Sequence, residues 1–388
     1  MNHIYLDNSA TTQLSEKARF AMLEAMDKYG NPSSLHTVGL EANELLSSSR
    51  KAIASTFGIH MPKPAEIIFT GSGSEANNLA ISGTAFAKKR RDADTVITTD
   101  SEHPSVENVM QKLESEGFRV IKISTKGGEL DLDQLNAALE NRIFMVSMMM
   151  VNNETGALYD VKSAFSAVKR RYPDAVTHCD AVQGYMKNRF TPASIGADLV
   201  TVSSHKIHGP KGVGALYVNP LMVKAKKISP IIFGGGQESG YRSGTENMIG
   251  IAGFAAAAKE QYSKLASDIE YMTDLRTLAE REISKIPEIK LNIPRGMRAP
   301  HILNITLPHI KSETMLHFLS SKGICVSSGS ACSSRSSHHS PSLLAFGLMP
   351  HEADTSIRIS LSEYNTEADI KALARSLAEG VSSLVRIK

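Results

Sequence analysis

Five short stretches of this sequence place donors, acceptors, an acid and an amine directly after runs of strand-forming residues. In chain order they are Gly71-Ser72-Gly73-Ser74-Glu75, Asp100-Ser101-Glu102-His103, Asn152-Asn153-Glu154, Asp180-Ala181-Val182-Gln183 and Ser204-His205-Lys206. Ligands of an open parallel sheet bind beyond the carboxyl ends of its strands, so five such ends would gather these side chains into one composite active site. Gly71 to Ser74 open a helical pattern, and their backbone N–H groups with the Ser74 hydroxyl would cradle a phosphate; a plain glycine turn is the alternative. The same run reads G-x-G-x-x-A through Ala76 with Asp100 downstream, which raises a nicotinamide-dependent dehydrogenase. Lys206 argues against that. It precedes the rigid Gly209-Pro210-Lys211-Gly212 turn, where an amine can be held and partly desolvated for Schiff-base formation. Asp180 is then placed to face a pyridinium nitrogen, the contact that makes pyridoxal 5'-phosphate an electron sink, with a helix N-cap as its plainer role.

The elements that must position these residues are legible as an α/β alternation. Strand patterns fall at 67–70, 95–99, 119–124, 143–151, 175–179, 199–203 and 215–218, which predicts a mainly parallel seven-stranded sheet with crossover helices. Helical patterns at 15–29 and 40–57 precede it, and a long one at 246–285 follows the Gly234-Gly235-Gly236 turn. The remaining strands at 303–306, 324–327 and 356–361, with helices at 312–322 and 366–385, read as a smaller α+β domain. The division expected is 16–258 for the large domain and 1–15 with 259–388 for the small one. Residues 327–342, dense in Ser, read as an exposed mobile loop. Basic runs at 88–91 and 169–171 fall at predicted helix C-termini, where cations complement the dipole.

Composition narrows the class. The 388 residues are 41% hydrophobic, enough for two or three cores. Lys plus Arg is 43 against 40 Asp plus Glu, an excess too small to mark a nucleic-acid partner. The most apolar run, 143–151, falls far short of the ~18 residues that span a bilayer. The N-terminal stretch shows no secretory pattern. Cys179, Cys325 and Cys332 form no C-x-x-C pair, so neither a disulfide framework nor a metal site is expected and a reducing cytoplasm fits best.

Taken together, the ordered motifs resemble the pyridoxal-phosphate-dependent cysteine desulfurases of the NifS/IscS-like family, relatives of the class-V aminotransferases. The resemblance rests on Tyr5-Leu6-Asp7-Asn8-Ser9-Ala10-Thr11-Thr12, Asn31-Pro32-Ser33-Ser34-Leu35-His36, Glu102-His103, Asn152-Asn153-Glu154-Thr155-Gly156, Ser203 to Gly214, Arg242-Ser243-Gly244-Thr245, Ser327-Ser328-Gly329-Ser330-Ala331-Cys332 and Arg358. It covers nearly the whole chain. It implies the fold-type-I architecture of pyridoxal-phosphate transferases, a homodimer, and conversion of L-cysteine to L-alanine with sulfur passed through a Cys332 persulfide to an acceptor protein of iron–sulfur cluster assembly or tRNA thiolation.

By the same resemblance Lys206 is the Schiff-base lysine, Asp180 the pyridine partner, and His103 stacks on the ring and moves protons. Asn153 and Gln183 would meet the phenolic oxygen, and Gly73, Ser74, Ser203 and His205 the phosphate. Thr245 would reach the phosphate of the neighbouring subunit, and Arg358, with Asn153, would bind the substrate carboxylate, a role suited to a planar bidentate donor. Cys332 in its S-S-G-S-A-C loop distinguishes a desulfurase from a related lyase or aminotransferase, whereas Cys179 and Cys325 are expected to be buried and inert. A silent scaffold that only docks acceptors is disfavoured because Lys206, Asp180 and Cys332 are all present. Three departures are visible: Ser74 stands where threonine is usual, Met186 precedes Lys187 where glycine is common, and His338 and His339 follow Cys332, either buffering its thiol or simply solvated.

Overall fold

The computed structural model describes residues 3–87, 93–328 and 339–385. A short N-terminal strand, β1 (Ile4–Tyr5), precedes the seven strands of the main sheet: β2 (Ile67–Thr70), β3 (Thr95–Thr99), β4 (Arg119–Ile123), β5 (Ile143–Met149), β6 (Val176–Asp180), β7 (Leu199–Ser203) and β8 (Gly214–Val218). Their order is β2-β8-β7-β6-β5-β3-β4. Only β8 runs antiparallel to its neighbours; the other pairings are parallel. Every residue of β3, β6, β7 and β8 is buried, because crossover helices cover both faces and β-branched side chains fill them.

The C-terminal part adds β9 (Lys290–Leu291), β10 (Ile302–Thr306), β11 (Ile324–Cys325), β12 (Ser327–Ser328) and β13 (Ser356–Ser360). Four of these make an antiparallel sheet, β12-β13-β10-β9, while β1 pairs in parallel with β11. A bridge from Asp7 to Ser360 continues the N-terminal segment onto this second sheet. The 36-residue helix Met248–Ile283 joins the two parts. Ile251 and Phe254 enter the core under the main sheet, and Leu275 and Ile283 enter the core of Leu303, Ile357 and Leu373.

Several boundaries differ from the sequence reading for physical reasons. The long helix starts at Met248 because the Asn247 side chain accepts from the Gly250 N–H at 3.0 Å and caps it. The helix expected at 40–57 begins at Thr37, capped by the His36 ring. The strand predicted at 175–179 is shifted by one, so Asp180 is its last residue: Met150 N donates to Asp180 O at 2.9 Å and Ala181 N to Thr201 O at 3.0 Å, carrying the ladder past the expected end. The strand predicted at 324–327 is two strands, since the chain leaves β1 and joins β13 at Val326. Of the loop expected at 327–342, Ser327 and Ser328 instead pair with β13, and the buried Ser340 caps the helix Pro341–Phe346; residues 329–338 lie outside the described residues. The basic run 169–171 does close its helix, Val161–Arg171. Residues 88–91 and Cys332 lie outside the described residues.

Candidate active site

The carboxyl ends of β2, β6 and β7 converge, as strand-end logic requires. The helix Gly73–Ala87 starts three residues after β2. Glu75 braces its approach, accepting from Gly71 N at 2.9 Å and from Arg242 Nε at 2.9 Å, and the Ser72 hydroxyl accepts from Glu75 N at 3.1 Å. Gly73 lies so close to β7 that a Cβ there would stand 2.9 Å from Val182 and 3.3 Å from Ser203. A cleft of about 420 Å³ opens beside it, lined by Ser72, Ser203, His205 and Lys211 among others. Ser203 is 2% exposed and its hydroxyl has no partner, an unmet donor in the wall of a cleft flanked by a helix N-terminus and a lysine. That is the donor set a phosphate monoester requires. Ser74 itself is exposed on the first turn. Ser72 and Lys211, which sequence reasoning had not singled out, line the cleft instead.

Asp180 is held from both sides. Asn77 Nδ2 donates to its Oδ2 at 2.7 Å and Val182 N to its Oδ1 at 2.9 Å. Asn77 also donates to Ser105 at 2.9 Å, and Ser105 meets His103 Nδ1 at 2.8 Å, so one short network joins the acid to the imidazole. His103 caps the helix Pro104–Ser115 by accepting from Ser105 N, which fixes its ring. Burial holds its pKa below the ordinary value, with the Asp180 charge opposing and Lys206 adding to the shift. Glu102, its neighbour, accepts from Thr99 at 2.6 Å and Met149 N at 2.9 Å. Burial, with a contribution from Asp180, nevertheless pushes its carboxyl up to about 8. Glu102 is therefore neutral at pH 7.

Lys206 follows β7 on a single 3₁₀ turn, Ser204–Lys206. Its ammonium donates to the backbone carbonyls of Ser9 and, at 2.9 Å, Ala10. Gln183 Nε2 also donates to Ser9 O, at 2.9 Å. His205 Nδ1 lies 3.2 Å from Thr11 Oγ1. Burial, reinforced by Lys206 and Lys211, pushes His205 down to about 4, which leaves it a neutral imidazole.

Arg358, on β13, is 3% exposed. It donates to the Asp7 carboxylate at 2.8 Å and to the Asn153 carbonyl at 3.0 Å, and its buried Nε has no partner. The Asn152 carboxamide builds the turn that presents Asn153, accepting from Glu154 N at 3.0 Å and Thr155 N at 2.9 Å. Gly156 ends that turn at φ 75°, where a Cβ would meet Ile302 O at 2.8 Å. Glu154 accepts from Ser340 at 2.6 Å, and burial raises its carboxyl to about 7.

Thr245 is exposed, on the rim of a cavity of about 100 Å³ shared with Gly71 and Arg242. Its loop is anchored from beneath: Arg50 pairs with Glu238 at 2.6 and 2.8 Å, and Glu238 accepts from Phe69 N. Met186, at the unusual position, adopts φ 57°, a left-handed conformation that glycine takes without cost. Cys179 is fully buried and burial holds its thiol protonated. Cys325 corrects the expectation: it is half-buried, because its two-residue strand pairs only with β1. His339 Nδ1 lies 2.6 Å from Asp354 Oδ1 on an exposed surface, in line with the solvated alternative; His338 lies outside the described residues.

The chain belongs to the class-V aminotransferase family, whose model matches residues 4–373. Within it the likeness is to cysteine desulfurases: the chain is 39% identical over 387 residues to the cysteine desulfurase of Trichormus azollae, covering 99% of this chain and 94% of that one. Among solved structures it superposes on a NifS-like protein with a TM-score of 0.90 and 32% identity, over 99% of this chain and 100% of that one. A second, SspA in complex with cysteine, matches with a TM-score of 0.79 and 30% identity over 94% of this chain and all of the other. The fold is that of fold-type-I pyridoxal-phosphate enzymes, and the cofactor is pyridoxal 5'-phosphate. The residues present fit it: the unpartnered Ser203 hydroxyl suits the phosphate, and the buried Asp180 carboxyl, held by Asn77, suits the ring nitrogen.

Proposed function

We propose that this site removes sulfur from L-cysteine and delivers it to Cys332, with Lys206 and Asp180 serving the carbon chemistry. The observation that carries the proposal is the convergence of Lys206, the Asn77-buttressed Asp180, His103 and the unpartnered Ser203 on one sheet edge. Ser203, His205, Gly73 and Ser74, with Ser72, would hold the cofactor phosphate, Asp180 its ring nitrogen, and Gln183 and Asn153 its phenolic oxygen. When bound, pyridoxal phosphate supplies the electron sink that acidifies the substrate α-carbon. Lys206 Nζ takes that α-proton, and His103, neutral and fixed by its cap, moves protons beside the ring. Arg358 orients the substrate carboxylate, with Asn153 beside it. The Cys332 thiolate attacks the substrate sulfur: the substrate C–S bond breaks, a Cys332 S–S bond forms, and the β-carbon gains a proton to give L-alanine. Cysteine plus the thiol thus balances alanine plus the persulfide. A Cys332-independent aminotransferase or lyase is the competing chemistry. The assignment of Lys206 is tested by borohydride reduction of the cofactor-loaded protein and peptide mapping; label on another lysine would refute it.

The chain divides, in this reading, at 16–258 and at 1–15 with 259–388, since the shared helix changes cores between Ala258 and Leu275. A homodimer is supported by the helix Glu16–Asp27, which exposes Phe20, Leu23 and Met26 at three-residue spacing, with Tyr29, Leu35 and Leu40 also exposed in the segment that follows. Apolar strips of this kind mark protein interfaces, and the exposed Thr245 would complete the neighbouring subunit's phosphate site. Sedimentation showing a fully active monomer would end that reading. Among the described residues no helix is long and apolar enough to cross a membrane; together with the cysteine usage, this supports a cytoplasmic enzyme. The acceptor would be a protein of iron–sulfur assembly or tRNA thiolation, identifiable by pull-down with Cys332 trapped.

A further inference from the structure

Two residues beyond Lys206 the chain reaches His208, which is completely buried and adopts φ 66°. Everything around it is unusually polar for an interior. Its N–H donates to Thr12 Oγ1 at 2.7 Å, and its Nδ1 donates to the carbonyl of Gln13 at 2.8 Å. Ser15 N donates to its carbonyl, and Thr12 N donates to His205 O, both at 2.9 Å. Residues 9–15 are therefore zipped onto the turn that carries Lys206, whose own ammonium ends on Ser9 and Ala10.

The far nitrogen of His208, Nε2, faces Glu363 Oε2 at 3.3 Å. Glu363 belongs to the loop that leaves β13, five residues after Arg358. Its other oxygen accepts from Gln261 on the long helix at 2.6 Å, and Lys187, 3% exposed, lies 4.0 Å from it. Tyr364 sets its ring edge-on to the imidazole, centroids 4.6 Å apart. Burial alone would raise the Glu363 carboxyl, yet His208, Lys187 and Gln261 together hold it well below the ordinary carboxylate range. A carboxylate retained inside a protein at that cost of desolvation has to be met by charge and hydrogen bonds, and removing it strands its partners. Those partners lie on the Lys206 turn, on the segment after Asp180 and on the long helix.

We propose that Glu363 is a positioning residue for Lys206: through His208 it fixes the lysine-bearing turn to the strand that carries Arg358, coupling the carboxylate end of the site to its amine. The proposal rests on the assignment of Lys206 above. If the clamp orients the lysine, breaking it changes what the amine does and leaves the fold and substrate capture largely alone.

The test uses the cofactor-loaded enzyme and Glu363→Gln, which keeps the shape and the Gln261 contact but removes the charge. The expected result is a kcat for alanine release lowered about tenfold with KM for cysteine within about twofold, together with an altered visible circular dichroism of the lysine-bound cofactor. Glu363→Asp should restore much of both. His208→Asn provides a second, independent break, because asparagine tolerates the positive φ, and it should reproduce the spectral change. Wild-type kcat and visible dichroism in both Glu363→Gln and His208→Asn would overturn the proposal, as would a lower Tm as their sole effect. Borohydride mapping of the wild type in the same series separates the two levels. Label away from Lys206 would sink the site assignment and this proposal with it, whereas label on Lys206 with unperturbed variants would sink this proposal alone.

Discussion

The two ends of the site are held by different means. Asp180 and Ser203 end strands buried on both faces, and Asp180 is held by neighbours in the same part of the fold: Asn77 from the helix after β2, and Val182 from the next turn of chain. Arg358 on the antiparallel sheet and Glu363 on the loop that leaves it are, by contrast, tied in by a few polar links to residues far away in sequence, Asp7 lying 351 positions from Arg358 and Gln261 102 positions from Glu363. The first end owes its geometry to a packed core. The second owes it to individual hydrogen bonds and ion pairs that single substitutions remove. Change at Arg358 should therefore cost substrate capture more than chemistry at carbon, whereas Glu363, which faces His208 on the Lys206 turn, is where the second end reaches the first.

The sharpest break is at Lys206. Lys206→Ala should lose the visible absorption of the lysine-bound cofactor and reduce alanine release by about 10³-fold or more, with cofactor still retained through the Ser203 side of the cleft; wild-type absorption would place the amine elsewhere. Asp180→Ala should come next, slowing exchange of the substrate α-proton by about 10²–10³-fold while absorption persists, measured by deuterium uptake at the α-carbon. At the other end, Arg358→Lys keeps a cation for Asp7 but loses the fork. A rise of about 10- to 100-fold in KM for cysteine with a smaller fall in kcat is expected there, read from steady-state kinetics.

The smallest effect concerns stability and belongs to the packed end. Glu102 has its carboxyl raised from 4.5 to about 8 by burial. In that window the folded protein binds a proton the unfolded chain has released, so the stabilisation is complete below pH 4.5 and is lost as pH rises through about 8. The slope is at most about 1.4 kcal/mol per pH unit. Glu102→Gln should remove this dependence, so that the Tm difference between variant and wild type moves in the variant's favour from about pH 5 to pH 8. A pH-independent difference would mean that Glu102 is ionised in the folded state.

The same contrast explains what could be read from the sequence. Lys206, Asp180 and Gly73 stand out because strand ends and helix starts leave local signatures, Ser203 only through the family resemblance, and the seven strands of the main sheet sit within a residue or two of their expected bounds. Ser72 and Lys211 stood inside recognised motifs, and Asn77 just beyond one, but they carry no residue-type signal that separates them from their neighbours. Glu363 and the Arg50–Glu238 pair left none, and Asp7 only its place in the Tyr5 to Thr12 motif, because their partners are set by how distant segments meet rather than by any period. The positive φ of Met186 is likewise a consequence of packing around the turn, visible from sequence only as a residue where glycine is common.

The division between chemistry at carbon and transfer of sulfur is tested most directly by Cys332→Ser, with α-proton exchange and alanine release measured on the same sample. The account predicts exchange close to the wild-type rate, since Lys206 and Asp180 are untouched, and alanine release reduced by orders of magnitude, since serine is a poor nucleophile toward sulfur. Alanine release at the wild-type rate, or loss of exchange together with it, would contradict the division of labour between Lys206 and Cys332.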